Sequence, residues 1–95
     1  MDKRLKSKPS TDDQMERREQ FYASIRKGEL SIAEAVVAMR KMSRLTQPEF
    51  AKHRGISVQA LRQIENGTGN PTVETLNKIA SIFTLHVGFC IPPRT

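Results

Sequence analysis

The chain has 95 residues, enough for one hydrophobic core and too few for two. Apolar residues make up 37% and charged residues 27%, with four Phe, one Tyr and no Trp, a globular composition with a small, mainly aliphatic core. Sixteen Lys and Arg against ten Asp and Glu leave a net charge of +6, which favours a polyanion over an acidic small molecule as partner.

Met1 to Pro9 is polar and basic, with Leu5 as its only internal apolar residue, too little to offset the entropy of ordering, so a flexible basic arm is expected over residues 1–10. Its basic start resembles that of a signal peptide, but no apolar stretch follows and no long apolar run occurs elsewhere, so a cytoplasmic protein without membrane contact is expected. Ser10 to Asp13 then carries helix-start chemistry, and Met15, Phe21, Tyr22 and Ile25 recur at helical spacing up to Gly28, predicting an N-terminal helical extension over 11–28.

Ser31 and Glu34 form a capping-box pair, with Leu30 placed to staple onto Ala35, and predict a helix from Ile32 to Met42 whose buried stripe is Ile32, Ala35, Val36 and Met39. Thr46 and Glu49 repeat the capping pair, and Pro48 sits in the first turn, where its missing N–H costs nothing. That short helix ends at Arg54 before Gly55. Ser57 caps another, with Leu61 and Ile64 inward, and Asn66-Gly67 stops it. After a Gly69-Asn70-Pro71 loop, Val73, Leu76, Ile79, Ala80 and Phe83 mark a closing helix.

Beyond Phe83 the period changes: Leu85, Val87, Phe89 and Ile91 alternate with His86, Gly88 and Cys90 until Pro92-Pro93, which predicts a short strand within a C-terminal segment 85–95. No second strand candidate exists, so the expected partner is the same strand of a second subunit, and these four apolar residues form the expected dimer interface. The alternative is a tail packed irregularly on its own core.

The central segment concentrates positive charge: six basic residues (Arg40, Lys41, Arg44, Lys52, Arg54, Arg62) stand against Glu49 and Glu65 between positions 40 and 65. Two short helices there meet across a glycine turn, with the small Ala51 where they must cross closely. The second has the size for the major groove, and its start at Ser57 can face phosphate. Its outward residues are expected to be Val58, Gln59, Arg62 and Gln63. Gln can bond adenine, Arg guanine, and Val can touch a thymine methyl. Without the surrounding motif, the same residues describe an ordinary solvated helix face.

The segment Leu45 to Phe83 resembles the helix-turn-helix core of the Xre/Cro family of bacterial and phage regulators, through Leu45-Thr46-Gln47, Phe50-Ala51, Gly55-Ile56-Ser57, Leu61, Ile64-Glu65-Asn66-Gly67, Asn70-Pro71 and the Leu76/Ile79 helix. The resemblance spans about Ser31 to Phe83. It implies a lambda-repressor-like helix-turn-helix domain over 29–84, so that with the N-terminal helix the chain is expected to be all-α with five helices, followed by the short strand read above that pairs across a dimer. It also implies base contacts at Gln59, Arg62 and Gln63, with Val58 departing from the polar or basic residue often found there, and backbone contacts at Gln47 and Asn66. Ser57, Arg44 and Lys52 complete the expected backbone set, although either basic residue can equally serve solubility. Glu65, acidic beside a surface meant for phosphate, is expected to bond internally to an Arg such as Arg40.

An enzyme would need a nucleophile and a base. The only conspicuous candidates are Cys90 with His86 or His53, and Gly67-Thr68-Gly69 is no phosphate loop because no strand precedes it. No enzyme, metal site or cofactor is expected, and the lone Cys90 leaves no internal disulfide. The helix-turn-helix core followed by an alternating strand is similar to the HipB-like antitoxins. That likeness implies an autoregulating repressor and, through the N-terminal helix, docking of a cognate toxin kinase. A free-standing repressor and a protein that only binds a partner are the alternatives, and the extension can equally serve to enlarge a small core.

Overall fold

The computed structural model describes residues 11–92; the basic arm expected over 1–10 lies outside them. Five helices follow one another: α1 (Thr11–Lys27), α2 (Ile32–Ser43), α3 (Gln47–Arg54), α4 (Val58–Glu65) and α5 (Val73–Ala80), the last continued by a 3-10 turn, Ser81–Phe83. The helix starts are set locally. Ser31 and Thr46 each close a full capping box with Glu34 and Glu49, while the Ser57 and Thr72 hydroxyls accept from the backbone N–H groups of Ala60 and Thr75.

Two helix ends determine the turns on either side of α3. After α3, Gly55 takes φ 72°, and the Gly55 and Ile56 N–H groups donate to the Lys52 and Ala51 carbonyls at 3.2 and 3.0 Å, a Schellman ending. A Cβ on Gly55 would meet nothing within 4 Å, so the demand for glycine is conformational and not spatial. After α2 the same left-handed position is filled by Arg44, at φ 59°, where a side chain costs energy.

α2 runs through the middle of the fold and packs on α1, α3, α4 and α5, and α3 packs on α4. The buried core draws on all five helices and the 3-10 turn: Phe21, Val36 and Met39 meet Phe50, Ala51, Leu61, Ile64, Leu76, Ile79 and Phe83. Phe50, Leu61 and Ile79 are fully enclosed, each contributing about 1.5–3 kcal/mol by leaving water. Three residues expected inward, Met15, Ile32 and Val73, are more than half exposed. Each lies near the start of its helix, where the apolar stripe runs past the end of a core shorter than the helices covering it.

α1 is held to the other end of the chain. The Tyr22 hydroxyl donates to the Phe83 carbonyl at 2.8 Å, the Phe21 ring meets Phe83 edge-on at 6.1 Å, and the Arg18 guanidinium lies over both the Tyr22 and Phe83 rings.

The C-terminal expectation needs correction. There is no strand among the described residues, and positions 85–92 carry no regular secondary structure. A strand requires a partner ladder, which one chain does not supply here. Instead the Val87 N–H donates to Asn77 Oδ1 at 2.8 Å, and Leu85 and Val87 pack against the core, as in the irregular-tail alternative. Phe89 and Ile91 stand fully out in solvent, at 108% and 92% exposure.

Candidate nucleic-acid interface

The geometry of α3 and α4 is fixed from behind by one polar network. Arg40, on α2, grips the Glu65 carboxylate with two donors, Nε to Oε2 at 2.7 Å and Nη2 to Oε1 at 3.1 Å. Its third donor, Nη1, reaches the Leu45 carbonyl at 3.1 Å, just before α3. Gln47, the first residue of α3, donates from Nε2 to Glu65 Oε1 at 3.0 Å. Its Oε1 accepts from Arg62 Nε at 3.4 Å. Four side chains thus tie α2, α3 and α4 together, with those of Arg40 and Glu65 only 18% and 6% exposed.

The charges are balanced within this group. Burial pushes the Glu65 carboxyl up, but the hydrogen bonds from Arg40 and Gln47 and the nearby Arg40 and Lys41 charges outweigh it and hold Glu65 below the usual carboxylate range. The bond to Glu65 raises Arg40 in turn. The expected internal role of Glu65 and its pairing with Arg40 are therefore seen, and the acid adds no free negative charge to the surface.

In front of this frame, Gln59, Arg62 and Gln63 are exposed on α4. Arg62 spends Nε on Gln47 and has no partner for its terminal nitrogens among the described residues, leaving them available to an acceptor. Val58 is half-buried and packs against the core, so it is not the outward side chain expected from spacing; as the first residue of α4 it turns partly under the helix. Gln47 is likewise half-buried and already committed on both amide atoms. Ser57 caps α4 with its oxygen, which leaves its hydroxyl hydrogen free to donate. Asn66, Arg44 and Lys52 are exposed. The Gln63 side chain lies against Gly69, where an added Cβ would come within 3.1 Å of its Oε1; the bare glycine thus leaves that amide its position.

Sequence reasoning missed two features. The Gln47–Arg62 bond joins residues assigned to different tasks, and only the three-dimensional crossing of α3 over α4 reveals it. Arg54 lies over the Phe50 ring at 5.2 Å, a packing role for a charge counted earlier only as part of a basic surface. No group of three or more potential metal ligands occurs among the described residues, and no described helix is long and apolar enough to cross a membrane.

Two short helices joined by a glycine turn, braced by a third and presenting polar side chains from the second, define a helix-turn-helix protein. Residues 37–89 match the model of the helix-turn-helix family, and the chain belongs to that family, of the Xre/Cro type and a family of DNA-binding regulators. Neither the curated proteins nor the solved structures include a match to it.

Proposed function

We propose that the protein is a sequence-specific DNA-binding repressor that acts as a homodimer and lays α4 in the major groove. The observation carrying this reading is the Arg40–Glu65–Gln47–Arg62 chain of bonds, which fixes α4 against α3 while leaving Gln59, Gln63 and the terminal nitrogens of Arg62 exposed. Side chains carried by a helix fixed in this way can bond adenine and guanine edges. Ser57, Asn66, Arg44 and Lys52 supply the flanking phosphate contacts, with Gln47 joining them through its remaining amide hydrogen. Val58 approaches a base with its methyl edge only. Exposed Phe89 and Ile91, beyond the inward-packed Leu85 and Val87, offer the apolar surface on which a second copy packs.

A second reading within this one is that of an autoregulating antitoxin. It is favoured by the open face of α1, where Met15, Tyr22 and Ala23 line a groove flanked by Arg18, Glu19 and Arg26, a surface suited to a partner protein such as a toxin kinase.

The deciding experiment is binding to a labelled fragment of the protein's own promoter against random competitor DNA at several salt concentrations. A preference of about a thousandfold or more at physiological salt supports the repressor. Equal, steeply salt-dependent binding to both overturns it.

A further inference from the structure

We propose that the N-terminal helix widens the DNA footprint: a cationic cleft between α1 and the end of α2 takes a backbone phosphate flanking the site read by α4. The inference rests on the DNA-binding reading above but adds a contact from α1, which lies outside the family match at 37–89.

The cleft has a volume of about 170 Å³ and is lined by Gln14, Arg17 and Arg18 of α1 and by Lys41, Met42 and Arg44 at the end of α2. Four of the six lining residues are cations and none is an acid. On α1 these residues continue the stripe that packs inward one turn later: Gln14, Arg17, Arg18 and Phe21 share one helix face by their spacing. At the end where Lys41 and Arg44 arrive, an apolar packing stripe has become a basic one.

The helix dipole accounts for cations at the end of α2, and Arg18 also covers the Tyr22 and Phe83 rings, but neither gives a reason for Arg17 in the first half of α1. None of the four acids of that helix lines the cleft: Asp12 and Asp13 sit in its first turn, Asp13 already engaged in an interaction, Glu16 accepts from Gln20 and Glu19 lines the outer groove. Lys41 feels the Glu65 carboxylate, but Arg40 and Gln47 already bond that group. Converging like charges favour an anion as occupant.

Position identifies the anion. Arg44 immediately precedes Leu45, whose carbonyl Arg40 holds, and stands three residues before Gln47 at the start of α3. The wall of the cleft is therefore braced by the same arginine that fixes α4, and the cleft borders the surface offered to DNA. A duplex seated on α4 continues as a row of phosphates past this edge. Arg44 sits in the left-handed conformation that glycine holds after α3.

The test uses the full chain and a duplex enriched from a randomised library, then shortened stepwise at its flanks. For the natural protein, trimming should cost about tenfold in affinity and make the slope of log affinity against log salt shallower by about 1 per phosphate lost. Arg17→Gln with Lys41→Gln should show that loss on the long duplex and lose nothing further on trimming. Arg17→Lys with Lys41→Arg should keep the natural behaviour. Natural flank dependence in the glutamine pair, or equal loss in both pairs, overturns the proposal. If no sequence is enriched, the base-reading assignment fails instead. The cleft is then judged on a random duplex, where an unchanged slope in the glutamine pair rules it out.

Discussion

Arg62 donates to Gln47 across 3.4 Å, so the residue proposed to read a base is steadied by the first residue of the preceding helix. Arg62→Ala should lower discrimination between operator and competitor by about 1–3 kcal/mol with little change in salt slope. Gln47→Ala should weaken the same discrimination indirectly. The double variant should then lose less than the sum of the two, as a double-mutant cycle on operator affinity will measure. Strict additivity would separate the two residues.

Glu65 gives a prediction in acid. Its folded-state carboxyl lies below the ordinary range, so the stability it lends is present above the unfolded value, about 4.3, and is lost as pH falls through the lower folded value. Glu65→Gln should flatten the decline in stability below about pH 4.5. Glu65→Ala, which strands the Arg40 guanidinium, should cost about 2–3 kcal/mol at neutral pH by denaturant unfolding. An unaltered acid limb in the glutamine variant would show that Glu65 is not the group involved.

Arg44 occupies a left-handed backbone position at φ 59°. Arg44→Gly should leave the fold as stable or stabilise it by up to about 1 kcal/mol, because relief of strain offsets the freedom gained by the unfolded chain. The same substitution should weaken binding to any duplex and reduce the salt slope by about 1. Lost stability without lost DNA affinity would make Arg44 a purely structural residue.

Tyr22 donates to the Phe83 carbonyl. Tyr22→Phe removes the donor and keeps the ring, and should cost about 1 kcal/mol in thermal or denaturant unfolding. No change would mean that water replaces the hydroxyl without loss.

The proposed homodimer is best tested beyond the residues that pack on their own core. Leu85 and Val87 are partly buried within the chain, whereas Phe89 is fully exposed. Phe89→Asp should therefore abolish a dimer in sedimentation while leaving the unfolding curve at low concentration unmoved. A dimer that survives the substitution lies elsewhere on the surface.

Helix positions were legible because their signals are local: Ser31 with Glu34, Thr46 with Glu49, Ser57 and Gly55 each act within a turn or two. The interior was legible where spacing alone decides the inward side, as for Val36, Met39, Leu61 and Ile64. Periodicity gives a direction and no length, which is why Met15, Ile32 and Val73 were expected inside and stand outside. The alternation from Leu85 to Ile91 shows a segment able to pair, but a ladder also needs a second edge that no property of one strand supplies. Val58 illustrates the limit at the site: its spacing from Gln59 and Arg62 placed it outward, and as the first residue of α4 it packs partly against the core.

The bond between Tyr22 and Phe83 limits how this helix-turn-helix unit can be transplanted. A cut made just before α2 would retain the whole of the family match and all of α3 and α4. It would also strip the aromatic and cationic cover from Phe83 and leave its carbonyl without the tyrosine hydroxyl. A graft or fusion that borrows the helix-turn-helix therefore has to carry α1 with it, or give the uncovered ring a polar replacement.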